Sequence, residues 1–354
     1  MQSGSTIRVS APGKLFLIGE YAVLENAPAI LTAVDRRAWV EIEPSSDTYW
    51  RLSAPNLGID TLVLDTDGRP PADRDDDLYD RLRVFDAVRA SVIDYLGGSL
   101  PALSIRIDTE SFARDGHKLG LGSSAAVAAA LTRALLAVAD RRPELAELAG
   151  LAITAHRLAQ NGTGSGGDVA TSVYGGLIGY TRDQAPQPLA WPADLTGATV
   201  VTGQGARTTD LVDRVYAYRD RAPEAFEHDI ARLAEIARHA AAGLDNAAGF
   251  LRLTQDYFDA LIALDRHAEA GIVSPRHYEL HAMAARYGAV FKSSGAGGGD
   301  VGLLFAHRDS ESASLRAAFD QAHAEIIDLS LGAEGVRVES APPPSSDRRR
   351  SGRV

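Results

Sequence analysis

Residues 118–127 read Lys118-Leu-Gly-Leu-Gly-Ser-Ser-Ala-Ala-Val127. Gly120 and Gly122 let the backbone approach a ligand closely, and Ser123 and Ser124 stand where an Ala-rich helix begins. Leu121 and Ala125 complete the turn. Exposed backbone N–H groups at a helix start, aided by the positive end of the helix dipole, form a phosphate site. The serine hydroxyls add hydrogen bonds or a ligand for Mg²⁺. The chain has no GxxxxGK(S/T) sequence, and no strand leads directly into a GxGxxG turn, so P-loop and Rossmann sites are excluded. A bare helix cap in front of a core helix is the alternative.

Two further stretches carry comparable signals. The first is Ala11-Pro-Gly-Lys-Leu-Phe-Leu-Ile-Gly-Glu-Tyr-Ala-Val-Leu24, where Lys14 and Glu20 are charges inside an apolar run. Such charges are costly unless they are paired or face a ligand, so the choice is an ion pair or a site. The second is Lys292-Ser-Ser-Gly-Ala-Gly-Gly-Gly-Asp-Val-Gly302. A plain hairpin does not need four glycines in six residues, each with its conformational entropy. Close approach to another backbone or to an anion explains them better. Only three of the 36 basic residues are lysines, namely Lys14, Lys118 and Lys292. Each sits in or beside one of these stretches. A compact ammonium makes point-charge contacts with phosphate oxygens that a planar guanidinium does not.

Bulk properties narrow the class. With 45% hydrophobic and 23% charged residues, the 354-residue chain is that of an ordinary globular protein. A formal net charge of −11 argues against a nucleic-acid or anionic-membrane binder. The absence of cysteine excludes disulfides, thiolate metal sites and a cysteine nucleophile. No stretch approaches the ~18 apolar residues of a membrane span, and no signal-peptide core is evident, which predicts a cytoplasmic protein.

Along the chain, strands are expected at 6–12, 14–24, 29–34, 38–43, 102–108, 175–182, 198–204, 288–294 and 301–307. Helices are expected at 79–95, 120–140, 143–160 and 312–325, with several more between Thr208 and Tyr287, and residues 44–77 are expected to form a loop. The lack of steady βαβ alternation predicts an α+β fold. The Pro-rich connector Gln184–Pro192 marks a boundary between units 1–190 and 191–340. A polar tail, 341–354, is expected to be disordered.

Together, and in this order, the motifs resemble the GHMP kinases over roughly residues 5–340, with Ala206-Arg-Thr-Thr-Asp-Leu-Val212 matching the Ser/Thr-rich turn that opens the family's second domain. The resemblance implies an S5-like N-terminal, ATP-binding domain and a ferredoxin-like C-terminal domain, with ATP and substrate between them. The stretch Ala155-His-Arg-Leu-Ala-Gln-Asn-Gly-Thr-Gly-Ser-Gly-Gly-Asp-Val-Ala170 is similar to the phosphomevalonate kinase subfamily, departing at Asn161 and at Gly167, where that subfamily has Phe. Mevalonate kinases carry Glu, Pro and Asn where this chain has Arg157, Gly164 and Val169.

By that resemblance Asp168 and Lys14 are catalytic. Lys118, Gly120, Leu121, Gly122, Ser123, Ser124 and Ala125 bind ATP, and Ser124 also holds Mg²⁺. Glu20, Tyr21, Lys292, Ser293, Ser294 and Gly295 bind an acidic small-molecule acceptor. For Asp168 the alternative is a helix N-cap. His156 has the bland alternative of a buried or helix-surface residue. The implied activity is ATP-dependent phosphorylation of 5-phosphomevalonate, by a monomer or homodimer without nucleic-acid or membrane partners. Mevalonate kinase, another small-molecule kinase of the family, and a non-catalytic ligand sensor are the alternatives.

Overall fold

The structure, a computed structural model, describes residues 6–114, 116–203, 208–244, 246–310 and 313–340. Strand β1 (Ile7–Ile18) pairs antiparallel with β2 (Ala29–Pro44). The breaks expected near residues 13 and 36 do not interrupt either strand. Pro12 pairs with Arg37 and Gly13 with Val34, so Asp35 and Arg36 bulge out of β2. A bulge re-phases the in/out alternation, which is why each strand reads as two in sequence. Residues 20–24 were expected to extend a strand, yet β1 stops at Ile18. Gly19 lies at φ +112° against Ala29, and Ala22–Glu25 form a 3-10 turn.

The expected loop at 44–77 contains two short strands, β3 (Arg51–Ala54) and β4 (Ile59–Val63). Each is too short for alternation to announce it. They are anchored by Trp50, which is fully buried. Asp75 caps helix α1 (Asp76–Leu96) by accepting from the Leu78 N–H at 2.8 Å. Next come β5 (Leu103–Asp108), the hairpin β6 (Ala113–Arg114) and β7 (His117–Lys118), and helices α2 (Ser123–Val138), α3 (Leu145–Ala159) and α4 (Gly167–Tyr174). Strand β8 (Leu177–Tyr180) follows and pairs with β9 (Gln187–Leu189), which lies inside the Pro-rich connector.

Helix α2 is the centre of this half. Ala125, Ala126, Ala128, Ala129, Ala130 and Ala134 have no exposed surface. The helix packs on β1 and β2 and is flanked by α1, α3 and α4. Apolar residues around most of its circumference fit a helix buried on most sides.

The remainder comprises β10 (Leu195–Gly203), α5 (Thr208–Arg221), α6 (Pro223–Ala242), α7 (Ala247–Ala268), α8 (Pro275–Ala285), β11 (Val290–Ser293), β12 (Asp300–His307), α9 (Ala313–Gln321), β13 (Ile326–Ile327) and β14 (Arg337–Val338). A four-stranded antiparallel sheet runs β11-β12-β10-β13. The larger sheet runs β14-β1-β2-β5-β3-β4, with β8 also on β2. Its one parallel pairing is β3 with β5. The chain thus returns to the first sheet through β14, and one apolar core joins Val9 and Val40 to Leu303 and Phe305. Helices and mainly antiparallel strands without βαβ alternation make this the expected α+β fold. The turn expected at Ala206–Val212 begins outside the described residues, and the 341–354 tail lies outside them entirely.

Helix α8 begins in a capping box with an unusual partner. The Ser274 hydroxyl accepts from the His277 N–H, and the His277 Nδ1 accepts from the Ser274 N–H. Nδ1 must therefore be bare, so the neutral ring donates from Nε2 towards the Thr202 hydroxyl at 3.3 Å. Burial, reinforced by the Lys292 charge, pushes the imidazole down from 6.5 to about 4. A group held neutral in the fold but protonated in the unfolded chain stabilises above its unfolded pKa and loses that contribution on acidification. His277 should therefore cost on the order of 3 kcal/mol of stability as pH falls from 6.5 to 4. Denaturant titrations at several pH values check this: His277→Gln should flatten that part of the profile relative to wild type.

Candidate functional site

Just past the β2 bulge, Lys14 points into the space between the two glycine-rich loops. Its N–H donates to the Leu121 carbonyl at 2.8 Å and its Nζ to the Gly120 carbonyl at 3.4 Å. Its aliphatic stem crosses Gly122, where a Cβ would lie 2.8 Å from Lys14 Cε. A Cβ on Gly13 would lie 2.7 Å from the Leu121 oxygen. Gly13 is needed because the strand and the loop touch backbone to backbone, and Gly122 because the Lys14 stem crosses it and its φ of +77° is left-handed. Burial lowers the Lys14 pKa, opposed by the negative charges of Asp168, Asp300 and Glu20.

The loop ends at Gly122, in the left-handed region at φ +77°, and α2 starts at Ser123 with no side chain capping it. Its first N–H groups and dipole are thus presented beside the Lys14 ammonium. Ser124 is an exposed residue, and its hydroxyl lies 3.1 Å from His156 Nε2. Lys118 lies on β7, exposed, opposite Ala113.

Asp168 is the second residue of α4, whose cap is Gly166 at φ +87°. The capping role weighed against it therefore belongs to a glycine. Its carboxylate is a quarter exposed, and Oδ1 accepts from the Val169 N–H. Arg157 stands where a glutamate was the alternative, and its side chain is bound to the neighbouring loop. Its guanidinium donates to the Ser165 carbonyl at 2.7 Å and the Gly164 carbonyl at 3.3 Å, fastening the loop that delivers Asp168.

The C-terminal glycine loop is anchored to the first sheet by the residues that precede it. Lys292, with no exposed surface, donates to Glu20 Oε1 at 2.5 Å and to the Ser293 carbonyl at 2.6 Å. Glu20 Oε2 has no hydrogen-bond partner among the described residues. Ser293 is buried, and the Ser294 hydroxyl accepts from the Phe16 N–H and donates to the Phe16 carbonyl. The Tyr21 hydroxyl donates to the Ala296 carbonyl at 2.6 Å, and burial pushes its pKa up. The Tyr257 hydroxyl donates to the Glu20 carbonyl. Asp265 accepts from the N–H groups of Gly271, Ile272 and Val273, and the Ile272 carbonyl in turn accepts from the Gly298 N–H.

The sequence-predicted residues therefore divide. Lys14, Gly120, Gly122 and Gly295 meet at one point; a Cβ on Gly295 would lie 4.0 Å from Lys14 Nζ. Asp168 acts on that ammonium electrostatically. Glu20, Tyr21, Lys292, Ser293 and Ser294 form the joint beneath it. Sequence reasoning passed over three participants, Asp300, Asp265 and Tyr257, and read His156 only as a buried or helix-surface residue. Asp300 ends the glycine run, and a Cβ on Gly120 would lie 2.5 Å from its Oδ2. Its place beside those glycines was the available signal. Asp265 and Tyr257 sit on α7 among ordinary helical residues, with no local pattern to mark them.

The family model for the GHMP kinases N terminal domain matches residues 83–176, the span from within α1 through α4. A phosphomevalonate kinase from Streptomyces sp. strain CL190 is 29% identical, covering 94% of this chain and 98% of its own. A mevalonate kinase from Thermococcus onnurineus is 26% identical, covering 95% and 99%. The solved structure of Streptococcus pneumoniae phosphomevalonate kinase in complex with phosphomevalonate and AMPPNP matches 92% of this chain and 99% of that one, with a TM-score of 0.74 and 22% identity. Residues 83–176 thus match the N-terminal domain of the GHMP kinases, and the chain has the GHMP kinase fold, an S5-like N-terminal domain with a ferredoxin-like C-terminal domain.

The buried pair yields a prediction. Removing one partner of a buried ion pair leaves an uncompensated charge and costs about 3–5 kcal/mol, while replacing both is far milder. Lys292→Met should destabilise by that amount in urea unfolding, and Glu20→Gln with Lys292→Met should recover much of the loss. A Lys292→Met protein as stable as wild type would mean that the pair does not hold the joint.

Proposed function

We propose that this protein transfers the γ-phosphoryl group of ATP to the phosphate of 5-phosphomevalonate, giving 5-diphosphomevalonate and ADP. The observation that carries the proposal is the placement of Lys14. Its ammonium is bonded to the loop that opens α2, within the field of Asp168 and bordered by Gly295 of the second glycine loop. Phosphoryl transfer asks the protein mainly for positioning and electrostatic stabilisation, and this arrangement offers both.

On this reading the ATP phosphates lie at the start of α2, against the N–H groups of Ser123, Ser124 and Ala125. Lys14 neutralises charge on the transferring group, and Asp168 orients the acceptor. An acceptor phosphate oxygen is already ionised and attacks the γ-phosphorus as the bond to the β,γ-bridging oxygen breaks. It needs little help from a base, so Lys14 carries more of the chemistry than Asp168. Lys118, exposed on the hairpin before the loop, adds positive charge for anion capture, while Lys292 acts indirectly, by holding the joint.

Magnesium fits the donor set. Ser124, an exposed residue, offers a neutral oxygen, and among the described residues no three acidic or histidine side chains cluster as a cage. Such a site suits a cation that keeps its waters and nucleotide oxygens. When bound, the ion neutralises charge on the β- and γ-phosphates.

Support for the acceptor comes from the Ala155–Ala170 stretch and from the Streptomyces relative that matches almost end to end. Arg157, tied to loop carbonyls, occupies the place of the mevalonate-kinase glutamate. Mevalonate kinase is the second reading, favoured by relatives such as that of Thermococcus onnurineus. ADP release measured with ATP·Mg²⁺ and each of phosphomevalonate, mevalonate or no acceptor separates them. Turnover with phosphomevalonate alone is expected; turnover with mevalonate alone would overturn the proposal.

Lys14→Met and Asp168→Asn should each lower kcat by at least roughly 10²-fold with unchanged melting temperature, because each removes stabilisation of the transition state. The pH profile should carry the Lys14 signature. Its pKa is lowered in the free protein, so the alkaline limb of kcat/KM should fall below pH 10.5, as the ammonium is lost with rising pH. Bound phosphates favour the ammonium, so the limb of kcat should lie at higher pH than that of kcat/KM. Coincident limbs, or near-wild-type turnover in Lys14→Met, would remove Lys14 from the site.

A further inference from the structure

His156 sits in the last turn of α3, 3% exposed, between two elements of the site. Its Nε2 lies 3.1 Å from the Ser124 hydroxyl on α2, and its Nδ1 lies 4.0 Å from Asp168 Oδ2 on α4. The Gln160 amide nitrogen, one helical turn away, approaches the same Nε2 at 3.5 Å. One ring thus touches the residue assigned to the nucleotide and faces the residue assigned to the acceptor.

We propose that His156 is a positioning residue that sets the direction of the Ser124 hydroxyl and braces Asp168, coupling nucleotide and acceptor handling through one buried imidazole. The reasoning rests on the neutral ring's two tautomers. An anionic carboxylate beside Nδ1 favours the tautomer with its proton there. Nε2 is then bare and accepts the Ser124 hydroxyl proton. That proton points into the protein, and the Ser124 lone pairs face the cleft. A hydroxyl fixed this way presents an acceptor to a cation and repels a bare phosphate oxygen. Ser124 therefore serves the divalent cation that accompanies the nucleotide, while backbone N–H groups serve the phosphates.

This inference rests on the proposed kinase reading, so its test separates the two. Affinity for a non-hydrolysable ATP analogue is measured calorimetrically with and without Mg²⁺, in the absence of any acceptor. The wrong acceptor would leave this readout untouched. His156→Leu should lose at least about tenfold of the Mg²⁺-dependent affinity, the usual cost of removing a partner that orients a ligand, with metal-free affinity unchanged. A Gln side chain places an amide oxygen near the position of Nε2, whereas Asn places its amide nearer Nδ1. His156→Gln should therefore keep the Mg²⁺-dependent affinity but lower kcat, and His156→Asn should lose that affinity.

If His156→Leu retains both the Mg²⁺ effect and kcat, the proposal is wrong. It is also wrong if Gln and Asn fail equally, in step with a lowered melting temperature, since that is what a purely structural histidine would give. Should the Leu variant not fold, the Gln and Asn comparison decides alone.

Discussion

Everything at this site depends on one contact between two backbones, the hydrogen bond from the Lys14 N–H to the Leu121 carbonyl. It fixes the first strand against the loop that opens α2, so the Lys14 ammonium and the uncapped start of a buried helix share one position. The contact tolerates no side chain at Gly13 and none at Gly122, and it is reinforced by the lysine's own reach to the Gly120 carbonyl. A charge is costly to bury. Here it is offset by three carboxylates, of which Asp168 acts most strongly. Burial penalises the lysine's charged form in the empty protein, and on the proposed reading bound phosphates would favour it.

The second sheet contributes by being fastened to the first through groups that are themselves buried. Lys292 and Glu20 cross the joint as an ion pair, and the Ser294 hydroxyl occupies both backbone groups of Phe16. A buried pair is weak evidence for net stability but strongly fixes geometry, since either charge alone is far worse than both together. The glycine loop that follows is held from behind by Asp265, through the Gly271–Val273 backbone to Gly298. Thus a flexible sequence is made rigid where it borders Lys14, and glycine serves close approach rather than mobility.

What the sequence made legible was backbone chemistry. Glycines before an Ala-rich run announce a close-approach loop and a buried helix. The α+β class and both glycine loops could be read at that level. Side-chain pairing across the chain could not. Glu20 and Lys292 are 272 residues apart, and nothing local says that they neutralise each other rather than a ligand. His156 looked like any helical histidine, because its partners lie on two other helices. The β2 bulge hid two continuous strands for a different reason: it breaks the period-two pattern on which a strand is recognised.

The central claim is that the start of α2 and the Lys14 ammonium together form the phosphate cradle. A crystal structure with a non-hydrolysable ATP analogue, Mg²⁺ and phosphomevalonate tests it most directly. The account predicts the β- and γ-phosphates within hydrogen-bonding distance of the Ser123 and Ser124 N–H groups, Lys14 Nζ on the γ-phosphate, and the acceptor phosphate on the Asp168 side. A triphosphate bound away from the start of α2, or a Lys14 still turned to Gly120 with no phosphate contact, would contradict it.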